Sequence, residues 1–179
     1  MKTDYNLVRV TEENALLILK WRNQENIRCN MYDNNVVTLE AHMSWLKLLQ
    51  STDKMVSFIF QYKGRPVGVV SGAEREADPK KWIWGCYLGS PGSIPKIGTK
   101  MGLFAMEYFF EIENCDIVIG EMIKTNTISH RFNLGIGFHV DKDIQIARKN
   151  GELVESVLLV QEKNSWLRNK ANLFAKAFA

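Results

Sequence analysis

The sequence predicts an α/β protein, an α+β sandwich in which a central, mixed and partly split sheet of about seven strands is flanked by helices. Three observations carry this. Two amphipathic helical stretches precede any long strand, residues 55–88 then read as three successive strands, and a strand, a glycine-containing loop, a helix and a further strand follow between Trp82 and Glu121. Strand, helix and strand in one sheet imply a parallel pair joined by a right-handed crossover, and the sheet is expected to split at that pair.

The elements follow in order. Asn6 to Val10 reads as a first strand. Thr11 offers an N-cap with Glu12 and Glu13 in the first turn of a helix that runs to Trp21-Arg22-Asn23. Gln24 to Val37 shows no period, and Asp33-Asn34-Asn35 marks a loop suited to a pocket wall. Thr38 caps a second helix to about Gln50, with His42, Trp45, Leu46 and Leu49 on one face. Met55 to Tyr62, with Val56, Phe58 and Phe60 on one side, turns at Lys63-Gly64-Arg65-Pro66 into a partner strand from Val67 to about Ala73. A polar turn, Glu74 to Lys81, leads to the apolar strand Trp82 to Leu88, which Gly89, Ser90, Pro91 and Gly92 end.

Gly98 to Glu111, free of proline and rich in Met, Leu, Phe and Ala, reads as the central helix. Its first turn aims unpaired N–H groups and roughly half a positive charge at whatever lies in front, a natural seat for phosphate. Asp116 to Glu121 is a short buried strand. Asn150-Gly151, between Ile144 to Ala147 and Leu153 to Val160, is the strongest hairpin signal in the chain. Leu167, Ala171, Phe174 and Phe178 fall at helical spacing in the basic segment 163–179, an amphipathic helix or tail that docks on its own domain or frays, with a homodimer or membrane contact as the alternative.

Composition narrows the function. With 46% hydrophobic and 24% charged residues over 179 positions, the chain can bury a core without disulfides or metal, which excludes disorder. A net charge of +3 suits anionic nucleotides but falls short of a nucleic-acid footprint. Cys29, Cys86 and Cys115 have no metal-ligand spacing and read as reduced thiols. No apolar run approaches the ~18 residues of a membrane span, so a cytoplasmic protein without membrane or nucleic-acid partners is expected.

The Trp82–Leu88 strand with its loop and helix, Asp116–Glu121, Asn126-Thr127-Ile128-Ser129 and Gly137-Phe138 together resemble the core of the GNAT acetyltransferases, and the likeness runs along the whole chain. Trp21-Arg22-Asn23, Met31-Tyr32, Thr38-Leu39-Glu40-Ala41-His42 and Trp84-Gly85-Cys86-Tyr87 add a resemblance to the branch that acetylates UDP-4-amino-4,6-dideoxy-N-acetyl-β-L-altrosamine in pseudaminic acid biosynthesis. The resemblance implies one GNAT domain over residues 1–162, acetyl-CoA as donor, no metal, and a nucleotide-sugar acceptor. It places pantetheine along Tyr87 and Leu88, and pyrophosphate at the amides of Ile97, Gly98 and Thr99, with charge from Lys96 and Lys100. Asn126 would touch the pantetheine arm and cap the next helix, with Ser129 three residues on.

The chain departs from the family pattern twice: Lys96 stands where a glycine is expected, and Asn133 where Tyr or His commonly protonates the thiolate. Glu121, His42 and Tyr87 are the candidate catalytic groups, the base acting through one water. Cys86 has no His-Asp arrangement to activate it, and His130 and His139 read as surface or packing residues. For the acceptor, Arg22 suits a diphosphate because guanidinium forks onto two oxygens. Asn23, Met31, Tyr32, His42, Trp45 and Trp84 would frame sugar or uracil. Acetylation of ribosomal-protein N-termini or antibiotics, and a non-catalytic CoA-binding module, are the alternatives on the same fold.

Overall fold

The computed structural model describes residues 2–148 and 151–179. After a 3-10 turn (Lys2–Asp4) come β1 (Tyr5–Arg9), α1 (Glu12–Arg22), α2 (Glu25–Arg28) and α3 (Leu39–Gln50). A meander follows: β2 (Met55–Tyr62), β3 (Arg65–Arg75) and β4 (Asp78–Leu88). Then come α4 (Ile97–Glu107), a π-helical turn (Tyr108–Ile112), β5 (Ile117–Ile123), α5 (Thr127–Gly135), β6 (His139–Ala147), β7 (Leu153–Glu162) and α6 (Lys163–Phe178). The strands form one seven-stranded sheet in the order β1-β2-β3-β4-β5-β7-β6. Every neighbouring pair is antiparallel except β4 and β5, the parallel pair that the crossover through α4 requires.

Each face of the sheet has its own core. Alternation along β4 sends Trp82 and Trp84 to one face, where they join Val56, Phe58 and Phe60 of β2 beneath Met101, Leu103, Met106 and Phe109. The other face carries Ile59 and Val69 under Ala15, Ile18 and Trp21 of α1, Ile27 of α2, and Leu46 and Leu49 of α3. Thr38 caps α3 by accepting a hydrogen bond from the Ala41 N–H at 3.2 Å, a contribution of about 1 kcal/mol.

Three boundaries differ from the sequence expectation. The β2–β3 turn is tighter, with Lys63 and Gly64 both at positive φ (49° and 74°), the geometry of a two-residue hairpin whose twist matches the strands; Arg65 and Pro66 belong to β3. The stretch Glu74 to Lys81 is not one polar turn, because Arg75 pairs with Asp78 and polar side chains simply line the solvent end of a long hairpin. β6 begins at His139, before Ile144, and carries a bulge between Val140 and Lys142. It pairs with β7 as expected, although Asn150 of the connecting turn lies outside the described residues.

The C-terminal helix packs Phe174 and Phe178 of the expected stripe against the core but leaves Leu167 and Ala171 exposed. Trp166 is fully buried while Leu167 is 53% exposed, since the indole has more apolar area to remove from water. Trp166 stacks on Phe110 at 6.0 Å and donates its Nε1–H to Glu111 at 3.0 Å. Among the described residues no helix is long and apolar enough to cross a membrane.

Trp21 packs against the chain leaving β4, where a Cβ at Gly89 would fall inside its ring. Gly89→Ala is therefore expected to cost about 1–3 kcal/mol, read as a lower urea midpoint. An unchanged midpoint would show that Trp21 moves aside freely.

Candidate active site

The split in the sheet makes the site. β4 and β5 pair from Lys81↔Ile117 to Trp84↔Gly120 and no further. Beyond that point Gly85–Leu88 and Glu121–Ile123 part, and the side of β4 that faced β5 keeps backbone groups without a ladder partner. A cleft of about 890 Å³ runs through the gap from one face of the sheet to the other. Trp84 borders it, stacked on Phe138 at 5.6 Å. Gly85 borders it too, and a Cβ there would meet nothing within 4 Å.

On one side the cleft is lined by Leu88, Lys96, Gly98 and Thr99, with Asn126, Ser129, Phe132 and Asn133 opposite. α4 opens without a side-chain cap, because Lys96 at its N-cap position sits at φ 54°, ψ 26°. That left-handed conformation costs a non-glycine residue roughly 1–2 kcal/mol. It turns the chain so that the first amides of α4 are not covered by a side-chain oxygen. A Cβ on Gly98 would touch only Leu88, at 3.5 Å. Asn126 caps α5, its Oδ1 accepting from Ser129 N–H at 3.1 Å. Buried Asn133 donates from Nδ2 to the Ser129 carbonyl at 2.9 Å, and its Oδ1 has no partner among the described residues.

The other side is lined by α1, the loop after α2, and α3. Arg22 is half-buried. Its Nη2 donates to the Asp33 carbonyl at 2.6 Å, whereas Nη1 is buried at the cleft without a hydrogen-bond partner among the described residues. Burial pulls its pKa down, opposed by Tyr87 and Asp33. The Tyr87 phenol is pushed well up, by burial against a smaller pull from Arg22, so it holds its proton at neutral pH. Met31, Tyr32 and Trp45 line the same side. The Tyr32 phenol is raised by burial and by the charge of Glu121, with Ser156 of β7 acting the other way. Neither Tyr32 Oη nor Ser156 Oγ finds a well-directed hydrogen bond. Glu121 is the first residue of β5 past the last pair with β4 and lines the cleft.

His42 is buried and stacks on Trp45 at 5.1 Å. Its Nε2 meets the Ala15 carbonyl at 2.8 Å, so that nitrogen carries the hydrogen and ties α3 to α1. Burial lowers its pKa, only partly offset by that bond. The Cys86 thiol lines the cleft, but burial pushes its pKa up to about 12, so it is no nucleophile.

Three expected site residues, Asn23, Lys100 and Lys96, turn their side chains elsewhere. Asn23 spends its side chain on the loop, donating to the Val37 carbonyl at 2.9 Å and accepting from the Val37 N–H at 2.8 Å. Ile97, the first residue of α4, buries its side chain and offers its amide, the group expected of it. Lys100 donates to Tyr5 Oη at 3.1 Å and to the Pro95 carbonyl at 3.2 Å, off the cleft. Lys96 borders the cleft with its ammonium turned away, donating to the Lys176 carbonyl at 2.7 Å. His130 does not line the cleft, and His139 is exposed. Conversely, Ser156 and Phe132 escaped the sequence reading: Ser156 has no local signal within a strand, and Phe132 reads as ordinary helix packing. Among the described residues no group of three or more His, Cys, Asp or Glu side chains could hold a metal ion.

Residues 7–157 match the acetyltransferase (GNAT) domain family, and the chain belongs to it. It is an N-acetyltransferase that takes its acetyl group from acetyl-CoA. No curated protein matches the chain in sequence. Among solved structures, the aminoglycoside acetyltransferase AAC(6')-Ib in complex with coenzyme A superposes with a TM-score of 0.78 at 17% identity, over 93% of this chain and 99% of that one. The spermidine N-acetyltransferase from Vibrio cholerae, in complex with CoA and spermine, gives 0.82 at 12% identity over 92% and 99%. The yncA protein of Salmonella typhimurium with acetyl-CoA gives 0.71 at 12% over 89% and 94%. These likenesses are of fold.

Because the folded pKa of His42 lies below its ordinary 6.5, the unfolded chain binds the proton more readily. The His42 contribution to stability is complete above pH about 6.5 and is lost as pH falls through the lower folded value. Denaturant titrations from pH 7 to 5 should show a steeper loss in wild type than in His42→Gln. Parallel curves would mean that the imidazole is protonated freely in the fold.

Proposed function

We propose that this acetyltransferase passes the acetyl group to the 4-amino group of a UDP-linked amino-dideoxy sugar, the acceptor of the pseudaminic acid route, by direct attack in a ternary complex. The observation that carries the acceptor class is the buried, unpartnered Nη1 of Arg22 in the cleft. A buried guanidinium nitrogen without an acceptor is costly, and a diphosphate oxygen is the group that satisfies it best. The same charge disfavours polycationic acceptors. Tyr32, Trp45 and Met31 offer flat and apolar surface for uracil or the sugar ring, and the unsatisfied hydroxyl of Tyr32 suits a polyhydroxy ligand.

The donor lies on the other side of the gap. The first amides of α4 at Ile97, Gly98 and Thr99 receive the pyrophosphate, and the free edge of β4 at Tyr87 and Leu88 receives the pantetheine amides. Asn126 and Ser129 bound the arm on the α5 side. Acetyl-CoA supplies an electrophilic thioester carbonyl and a thiolate leaving group. Glu121, at the point where the strands part, takes a proton from the attacking amine through one water. Tyr87, held protonated by burial, acts as a donor and not as a base. Cys86 stays a thiol, so no acyl group passes through the protein. Holding both substrates across one gap supplies much of the rate through orientation.

The test is a transfer assay with UDP-4-amino-4,6-dideoxy-N-acetyl-β-L-altrosamine beside aminoglycosides, polyamines and peptide N-termini. Turnover of the nucleotide sugar is expected, with Arg22→Met raising its KM at least about tenfold and leaving the acetyl-CoA KM unchanged. Turnover of peptide N-termini alone would overturn the acceptor. Gly98→Glu, which aims a carboxylate at the pyrophosphate, should abolish CoA binding in calorimetry. Retained binding would move the donor site elsewhere.

A further inference from the structure

The two lysines that flank the first turn of α4 are held by the C-terminal helix. Lys96 Nζ donates to the Lys176 carbonyl at 2.7 Å, in the last turn of α6. Lys100 Nζ lies 5.0 Å over the Phe178 ring while donating to the Pro95 carbonyl at 3.2 Å. Phe178 in turn meets Tyr5 edge-on at 5.4 Å. Carbonyls at a helix C-terminus lack intrahelical partners and carry the negative end of the dipole, so an ammonium satisfies both needs at once. Lys96 is also the residue whose left-handed backbone turns the chain into α4. One residue therefore sets the direction of the loop with its backbone and anchors it with its side chain. α6 lies beyond residues 7–157, the part of the chain that matches the family.

We propose that the Lys96–Lys176 contact positions the amides of Ile97, Gly98 and Thr99 for the pyrophosphate of acetyl-CoA, which makes the last turn of α6 a positioning element of the donor site. The inference rests on the assignment of that loop to the donor. It replaces the phosphate contact expected of the Lys96 charge with a mechanical role: a loop held in its bound shape loses less freedom when the ligand arrives.

Three full-length variants test it. Lys96→Met removes the ammonium at an exposed position, Lys96→Arg keeps a donor, and Ala177→Pro moves the Lys176 carbonyl because a residue before proline is driven out of helical geometry. CoA dissociation constants by calorimetry are expected to rise roughly tenfold in Lys96→Met and in Ala177→Pro, with Lys96→Arg near wild type. The Met/Pro double variant should be no weaker than either single one. At saturating acetyl-CoA, kcat should stay within about twofold, so the loss appears in KM. Amide exchange at Gly98 and Thr99 should quicken in unliganded Lys96→Met, a readout independent of whether the proline variant folds. Additive losses, unchanged exchange, or unchanged affinity in Lys96→Met would each overturn the proposal. So would a flatter salt dependence in Lys96→Met with normal binding by Ala177→Pro, which would make Lys96 a direct phosphate ligand. Full CoA binding by Gly98→Glu would instead remove the donor-loop assignment, whatever the tether shows.

Discussion

Two parallel strands that pair through Trp84 and Gly120 and then diverge are the constraint on which the rest of the molecule depends. Separation forfeits ladder hydrogen bonds in the middle of the sheet, a loss that a protein tolerates only where something else fills the gap. The strands are kept apart by what packs on each face. Trp84 stacks with Phe138 on one side, and Tyr87 joins the α1–α3 layer on the other. Because each layer has its own core, the gap between β4 and β5 is the place where the two faces of the sheet communicate.

That arrangement explains where several of the unsatisfied polar atoms are. Arg22 Nη1, Tyr32 Oη, Asn133 Oδ1 and Ser156 Oγ are all buried and without partners among the described residues. They come from α1, the loop after α2, α5 and β7, elements far apart in sequence. Buried groups of this kind are normally paired. Arg22, Tyr32 and Asn133 line one cleft, as a preorganised ligand site does before its ligand arrives, whereas Ser156, Gln161 and Arg148, which also carry a buried atom without a hydrogen-bond partner, do not line it.

Much of this architecture was legible in the sequence because it rests on local signals. Thr38 and Asn126 cap their helices as their positions predict, and the apolar run from Trp82 to Leu88 is the strand that borders the split. The parallel pairing of β4 and β5 follows from the strand–helix–strand order, and their opening from the resemblance to the GNAT core. What could not be read is side-chain direction. Asn23 follows Arg22 in sequence, yet one turns to the loop backbone and the other to the cleft. Lys96 and Lys100 look like phosphate ligands until the C-terminal helix, 80 residues away from Lys96, supplies their partners. Ser156 became visible only when β7 was placed beside β5. Lys96 and Ser156 were missed because their neighbours lie far away in sequence, and Asn23 because side-chain direction within a loop has no sequence signal.

The bulge in β6 has a consequence at the rim of the molecule. β6 is the last strand of the sheet, and it carries exposed Asp141, Lys142 and Asp143 beside the irregular step between Val140 and Lys142. An edge so charged and bent is a poor template for a strand from another chain. The fold thus protects this one of its two sheet edges, the other being β1, against edge-to-edge aggregation.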